Sequence, residues 1–177
     1  IAGDQITNDI AMALRTPTRE AEEIKRKFGC ALSDLADPED VLDVAGVDDR
    51  PSRKLSRRAL ADVIQPRVEE LFELIQAELR RAGFEEVLSS GIVLTGGASL
   101  MPGMIELGEE VFHMPVRLGI PKYNGALADV VQNPRFATVC GLLMEAQTQR
   151  KRGMKVRETS DVKQVFGRMK AWFEKNF

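Results

Sequence analysis

The chain has 177 residues, enough for one domain or two small ones with a real core. Its 44% hydrophobic content is that of an ordinary globular protein, and no run of about 20 apolar residues is present to span a bilayer as a helix. The net charge of −2 is unevenly spread: residues 147–177 hold nine Lys/Arg against three Asp/Glu, so a +6 tail follows a −8 body.

Residues 1–14 read as a turn at Gly3 and Asp4 leading into a helix, with Thr7, Asn8 or Asp9 as cap and Ile10, Met12 and Leu14 as apolar positions. The start at Ile1, without Met and inside this segment, points to a piece of a longer protein. Residues 16–28 form a second helix, opened by Pro17 and closed by Gly29. Residues 34–52 carry Asp, Pro and Gly punctuation around Val41, Leu42 and Val44, which suits a hairpin in a small subdomain. Residues 55–81 are the longest helical pattern. Leu60, Val63, Ile64, Val68, Leu71, Leu74, Ile75 and Leu79 recur at helical spacing, and Ala82-Gly83 ends the run. Pro66 is expected to kink this helix or split it in two.

The apolar run 91–95 (GIVLT) predicts a strand buried on both faces. It leads into Gly96-Gly97-Ala98-Ser99-Leu100-Met101-Pro102-Gly103 and then a helix through Val111 and Phe112. A strand, a Gly-Gly turn and a helix N-terminus can bring backbone N–H groups against a nucleotide, because any Cβ at the turn would clash with a flat base or ribose. Many such turns bind nothing, and this one is neither GxGxxG nor a Walker A loop.

The tail ends in VKQVFGRMKAWFEKNF, residues 162–177. At 100° per residue Val162, Val165, Phe166, Met169, Trp172, Phe173 and Phe177 share one arc of about 140°. Lys163, Arg168, Lys170 and Lys175 lie outside it. Such a helix lies in a membrane interface, with rings among acyl chains and lysines at phosphates. The competing reading is a terminal helix that completes the core. Against it, Trp172 is the only Trp of the chain, and residues 147–160 are polar and basic like a tether. The expected membrane-binding residues are Val165, Phe166, Met169, Lys170, Trp172, Phe173 and Lys175. Nucleic acid suits the charge but has no use for so wide an apolar stripe, so none is expected.

The string LTGGASLMPG, residues 94–103, closely resembles the adenosine motif of the actin, Hsp70 and sugar-kinase superfamily. Glu22-Glu23-Ile24-Lys25 resembles the segment of that superfamily whose Glu and Lys, three apart on one helix face, close over ribose and adenine. Taken alone, Glu22 and Lys25 read as an ordinary surface ion pair. The opening AGDQIT, residues 2–7, resembles the Gly-Gly-Asp turn of the same superfamily, but Ala2 replaces a common Gly, so only Gly3 carries over. The resemblance names Gly3, Glu22, Lys25, Gly96, Gly97, Ala98 and Met101 as nucleotide-binding residues.

Within that superfamily the chain resembles, end to end, the C-terminal half of the bacterial cell-division FtsA family. The match runs through the opening helix pair, IVLTGGASLMPGM, MPVRLGIP, the helix after Pro134, the basic linker and the terminal helix. The resemblance implies an α/β, actin-like (ribonuclease-H-like) second lobe with a small inserted α+β subdomain, plus a C-terminal amphipathic helix. Residues 1–14 and 84–146 would form the lower subdomain, on the adenosine side of the cleft. Residues 15–83 would form the upper one, 147–160 a flexible linker and 161–177 the membrane-targeting helix. It implies ATP with Mg²⁺ as cofactor, filaments of the protein itself, and a tether between the tubulin-like protein FtsZ and anionic lipids of the inner membrane. It also implies contacts with other divisome proteins, at the cytoplasmic face of the division septum.

In that family the upper subdomain receives the C-terminal peptide of FtsZ, which makes Arg50, Arg53, Lys54, Arg57, Arg58 and Arg67 docking candidates; the bland reading is a solvated helix face. The phosphate loops and Mg²⁺-holding carboxylates would lie upstream of Ile1. The 177 residues alone are therefore expected to bind ATP weakly or not at all and to hydrolyse none. The runner-up is a kinase or chaperone-type ATPase of the superfamily, or an actin-like pilus-assembly protein. No catalytic or metal set is legible. His113, the only His, has no partner at ligand spacing and reads as structural. Cys30 and Cys140 fit reduced thiols of a cytoplasmic protein, and the seven Met read as filler.

Overall fold

The computed structural model describes residues 3–46, 51–84, 87–88, 90–125 and 127–151. The chain forms two compact units, Ile1–Thr138 and Val139–Phe177. In the first, α1 (Gly3–Leu14) presents Ile6, Ile10 and Leu14, four apart, to the core. The helix starts at Gly3, so Gly3 and Asp4 form its first turn rather than a turn ahead of it. Thr7 is therefore internal, with its hydroxyl 3.0 Å from the Gly3 carbonyl one turn back and closer still to the Glu22 carboxylate, which takes its proton.

Helix α2 (Thr18–Phe28) begins after Pro17 and stops at Gly29, as the spacing predicts. Its Ala21 and Ile24 pack into the same core. The hairpin is antiparallel, β1 (Val41–Val44) against β2 (Arg53–Ser56), with Leu42 opposite Leu55. Leu55 thus belongs to a strand, and the helix expected from residue 55 begins two residues later. Ser56 sets that boundary, because its hydroxyl accepts from the Ala59 N–H and caps α3 (Arg57–Arg81).

Pro66 lies inside α3 without splitting it. Leu60, Ile64, Val68 and Phe72 bury one stripe on both sides of the proline and bridge the missing hydrogen bond with packing. Fully burying such a side chain stabilises by about 1.5–3 kcal/mol, which along this stripe outweighs a proline penalty of about 3 kcal/mol. The stripe follows every fourth residue, so Leu74 and Ile75 stay 49% and 38% exposed.

Strands β3 (Ile92–Leu94) and β4 (Val116–Leu118) pair in parallel. Helix α4 (Met104–Phe112) crosses between them, as a parallel pair requires. The run 91–95 is not buried on both faces: Val93 is 46% exposed, and among the described residues β3 pairs only with β4. Phe112 meets Phe72 of α3 with ring centroids 5.2 Å apart, joining the two halves of the core. His113 follows as the left-handed C-cap of α4, with φ 53°, and is exposed, a structural post. Cys30 is buried and free, Cys140 half-buried and free. A short helix α5 (Ala128–Val131) and a 3₁₀ turn at Pro134–Phe136 lead to α6 (Ala137–Lys151). Residues 147–151, expected to open the linker, are helical; Thr148 and Gln149 bond back to Met144 and Glu145 on the same helix. No helix among the described residues is long and apolar enough to cross a membrane. The expected membrane-binding residues Val165, Phe166, Met169, Lys170, Trp172, Phe173 and Lys175 lie outside the described residues.

Candidate functional site

The α1–α2 junction supplies the first wall. The Lys25 ammonium lies 2.9 Å from the Gly3 carbonyl, 2.7 Å from Thr7 Oγ1 and 2.5 Å from Glu22 Oε2. Those three acceptors take its three donors, and its side chain is only 10% exposed. The Thr7 hydroxyl also sits 2.5 Å from Glu22 Oε2. Glu22 stays 41% exposed, so its other oxygen remains available to the solvent side. The pair is thus a locked local network, stronger than a loose surface ion pair.

Burial works against ionisation of Glu22, but the hydrogen bonds from Lys25 and Thr7, with the charges of Lys25 and Arg26, hold its carboxyl below the ordinary value. A depressed carboxyl stabilises the fold above its unfolded pKa and loses that contribution as pH falls through the folded value. Glu22→Gln is therefore expected to narrow its stability gap from the parent chain as pH drops from about 5 to 3. Exposure limits the effect to about 1 kcal/mol at neutral pH. Urea unfolding at several pH values measures it, and a gap constant with pH would contradict it.

The second wall is the loop after β3. Gly119 N–H bonds the Leu94 carbonyl at 2.7 Å, and Gly96 N–H bonds the Pro134 carbonyl at 3.1 Å, pinning the strand end between two distant segments. Gly96 has φ 94° and ψ 169°, a conformation open essentially to glycine. Gly97–Leu100 then make a 3₁₀ turn before α4 starts at Met104, so the Gly-Gly turn is one turn removed from the helix N-terminus that the motif predicts. Ser99 closes the turn onto the Gly96 carbonyl at 2.7 Å.

The two walls enclose a cleft of about 540 Å³. Gly3, Glu22, Lys25, Gly97, Ala98 and Met101 line it, although they come from positions nearly 100 residues apart. Gly96 supports the turn from behind and is not part of the lining. Sequence reasoning missed Asp4, Arg26, Lys27, Gly29 and Arg135, together with Leu100 and Pro102, and read Arg57, which also lines the cleft, as a docking candidate instead. Five cations against two carboxylates favour an anionic ligand. Ala98, Leu100, Met101 and Pro102 add an apolar wall, so the lining fits a flat base carrying phosphates.

The basic docking candidates are less uniform. Arg53 donates to the Leu14 carbonyl at 2.6 Å, and Arg58 pairs with Asp34 at 2.9 Å. Arg57 donates to the Phe28 carbonyl at 3.1 Å and faces Asp40. Arg67 is bonded to Asp9 at 2.5 Å and to Glu70. Among the described candidates Lys54 alone is uncommitted, and Arg50 lies outside the described residues. No group of three His, Cys, Asp or Glu among the described residues is placed to hold a metal ion.

Comparison with known proteins identifies the frame around this cleft. The family model "Cell division protein FtsA" matches residues 1–141. FtsA of Pseudomonas aeruginosa is 53% identical, over 100% of this chain and 44% of that protein. FtsA of Escherichia coli K12 is 38% identical, over 99% of this chain and 44% of that protein. The chain thus spans less than half the length of these relatives. The crystal structure of MreB 5 of Spiroplasma citri bound to AMPPNP superposes with a TM-score of 0.69 at 16% identity, over 86% of this chain and 45% of that one. Its ADP-bound form gives 0.64 at 15% identity, over 86% of this chain and 46% of that one. The fold is therefore actin-like, and the chain belongs to the FtsA family of cell division proteins.

Proposed function

We propose that this chain carries the adenosine-binding side of an actin-like cell-division protein that binds ATP, assembles as a filament and tethers the FtsZ ring to the inner membrane. One observation supports the nucleotide reading most: Gly3, the Glu22–Lys25 pair and the Gly97–Met101 loop, remote in sequence, line one cleft. The ribose would sit at Glu22, whose free oxygen accepts hydroxyl donors. The base would lie against Gly97, Ala98 and Met101, with the Lys25 stem along its edge. ATP, when bound with Mg²⁺, would supply a triphosphate charge that the cations of the cleft attract at longer range, while the loops that grip its phosphates and metal directly would lie outside this chain. The spans 1–14 and 84–146 would make the lower subdomain, and 15–83 the upper one that receives the FtsZ peptide. Residues 161–177 would dock on anionic lipid at the septum, beside other divisome proteins.

Gly97 offers a clean test of the cleft. A Cβ there meets nothing closer than Arg135 Cβ at 3.9 Å, so Gly97→Val is expected to fold normally. Its isopropyl group would fill the place of the base. Ligand-detected NMR with adenosine should show weak, millimolar-range binding to the parent chain and at least about tenfold less to the variant. Equal binding by both, with melting unchanged, would remove the cleft as the nucleotide site.

A further inference from the structure

We propose that Arg135 is the lid of the adenosine pocket, its guanidinium stacked flat on the base above the Gly96–Gly97 turn. The inference rests on the cleft being a nucleotide site and names a residue that no motif in the sequence assigns.

The backbone around Arg135 is fixed to the turn. The buried Pro134 gives its carbonyl to Gly96 N–H at 3.1 Å; the Thr95 hydroxyl donates instead to the Gly119 carbonyl at 2.9 Å. On the other side Asn133 Oδ1 accepts from the Arg135 N–H at 3.1 Å. The Arg135 Cβ lies 3.9 Å from where a side chain on Gly97 would begin. Two hydrogen bonds therefore hold the backbone at this arginine over the part of the loop that has no side chain.

Its head is uncommitted. Lys25 is locked to Glu22, Thr7 and Gly3; Arg57 holds Phe28 and Asp40; Lys27 sits 3.8 Å from Glu23. Arg26 stands beside Glu22 and feels its charge. Among the described residues Arg135 and Arg26 are the cations on the cleft with neither an ion pair nor a side-chain hydrogen bond, and of the two only Arg135 stands over the Gly97 turn. A guanidinium is planar and weakly hydrated, and it stacks on aromatic faces where an ammonium does not. Backbone below and guanidinium above would sandwich a base in this corner.

The chemistry separates stacking from plain charge. Adenosine carries no phosphate, so a cation acting through phosphate attraction contributes nothing to its binding. Adenosine affinity would be measured by ligand-detected NMR for the parent chain, R135A, R135K and R135Y, with thermal unfolding as the fold control. R135A should bind about tenfold more weakly. R135Y, flat but neutral, should regain most of the loss, and R135K, charged but not flat, little of it. Unchanged binding by R135A, or recovery by Lys as good as by Tyr, would overturn the proposal. If R135A binds as the parent does while Gly97→Val abolishes binding, the cleft stands and only the lid falls. If the parent chain binds no adenosine, the nucleotide reading falls and the lid with it.

Discussion

Cutting the chain after Ser160 is expected to abolish its co-sedimentation with anionic vesicles, and Trp172→Glu alone to remove most of it. Phe166, Trp172, Phe173 and Phe177 share one face of residues 162–177 when these are stepped as a helix. Each such ring buried in the interface contributes about 1.5–3 kcal/mol. The nine Lys/Arg of residues 147–177 add about 1 kcal/mol for each one that reaches the lipid surface. A Glu at position 172 forfeits the largest ring and places a carboxylate among anionic headgroups, so about a hundredfold loss in partitioning is expected. The residual charge should leave weak binding that added salt removes. Two outcomes decide the matter. Pelleting of the intact chain, with both variants left in solution, assigns the tail to the membrane. Recovery of all three in the supernatant would mean the apolar face packs on protein, and a soluble ATPase of the same superfamily would become the better reading.

What was legible in the sequence followed from local periodicity and local turn chemistry. Helix α1 shows itself in Ile10 and Leu14, although Met12, read with them, is 78% exposed and Ile6 completes the buried stripe; α2 shows itself in Pro17 and Gly29, and the hairpin in the apolar positions of residues 41–44. Misreadings arose where two rules compete. RKLS at 53–56 has a helical composition, yet Leu55 pairs opposite Leu42 and Ser56 caps the following helix. Of the two outcomes expected at Pro66, a kink or a split, the split does not occur, because the stripe is buried on both sides of it. Leu74 and Ile75 keep the period of α3, but Phe72 and Gln76 are the residues that turn to α4. The site divides the same way. Gly3, Glu22, Lys25, Gly97, Ala98 and Met101 were legible through motifs, each a local string. Arg26 and Arg135 line the same cleft and were not, and Arg57 was read as a docking candidate, because an arginine has no periodicity and only the tertiary fold brings α2, the start of α3 and the Pro134 turn together.

Gly103→Ala should destabilise the chain by about 3 kcal/mol or more, although Gly97→Val, six residues earlier in the same loop, should cost almost nothing. Gly103 has φ +83°, and forcing an L-residue into the left-handed region costs about 1–2 kcal/mol by itself. A Cβ there would also stand 2.7 Å from the Leu32 backbone nitrogen and 2.9 Å from Leu32 Cβ. Backbone cannot swing away as a lysine tip can, because the Ala31 N–H is bonded to the Pro102 carbonyl at 2.8 Å. Relief would require the α2 exit and the start of α4 to separate, and that moves Gly29, Met101 and Pro102, all of which line the cleft. Gly97 has an ordinary φ and open space, so its lack of a side chain serves whatever occupies the cleft and not the fold. Urea midpoints for the two variants measure the contrast directly. A Gly103→Ala chain as stable as the parent would show that the α2 exit and the loop yield independently, and the rigid two-walled cleft on which the adenosine reading depends would have to be given up.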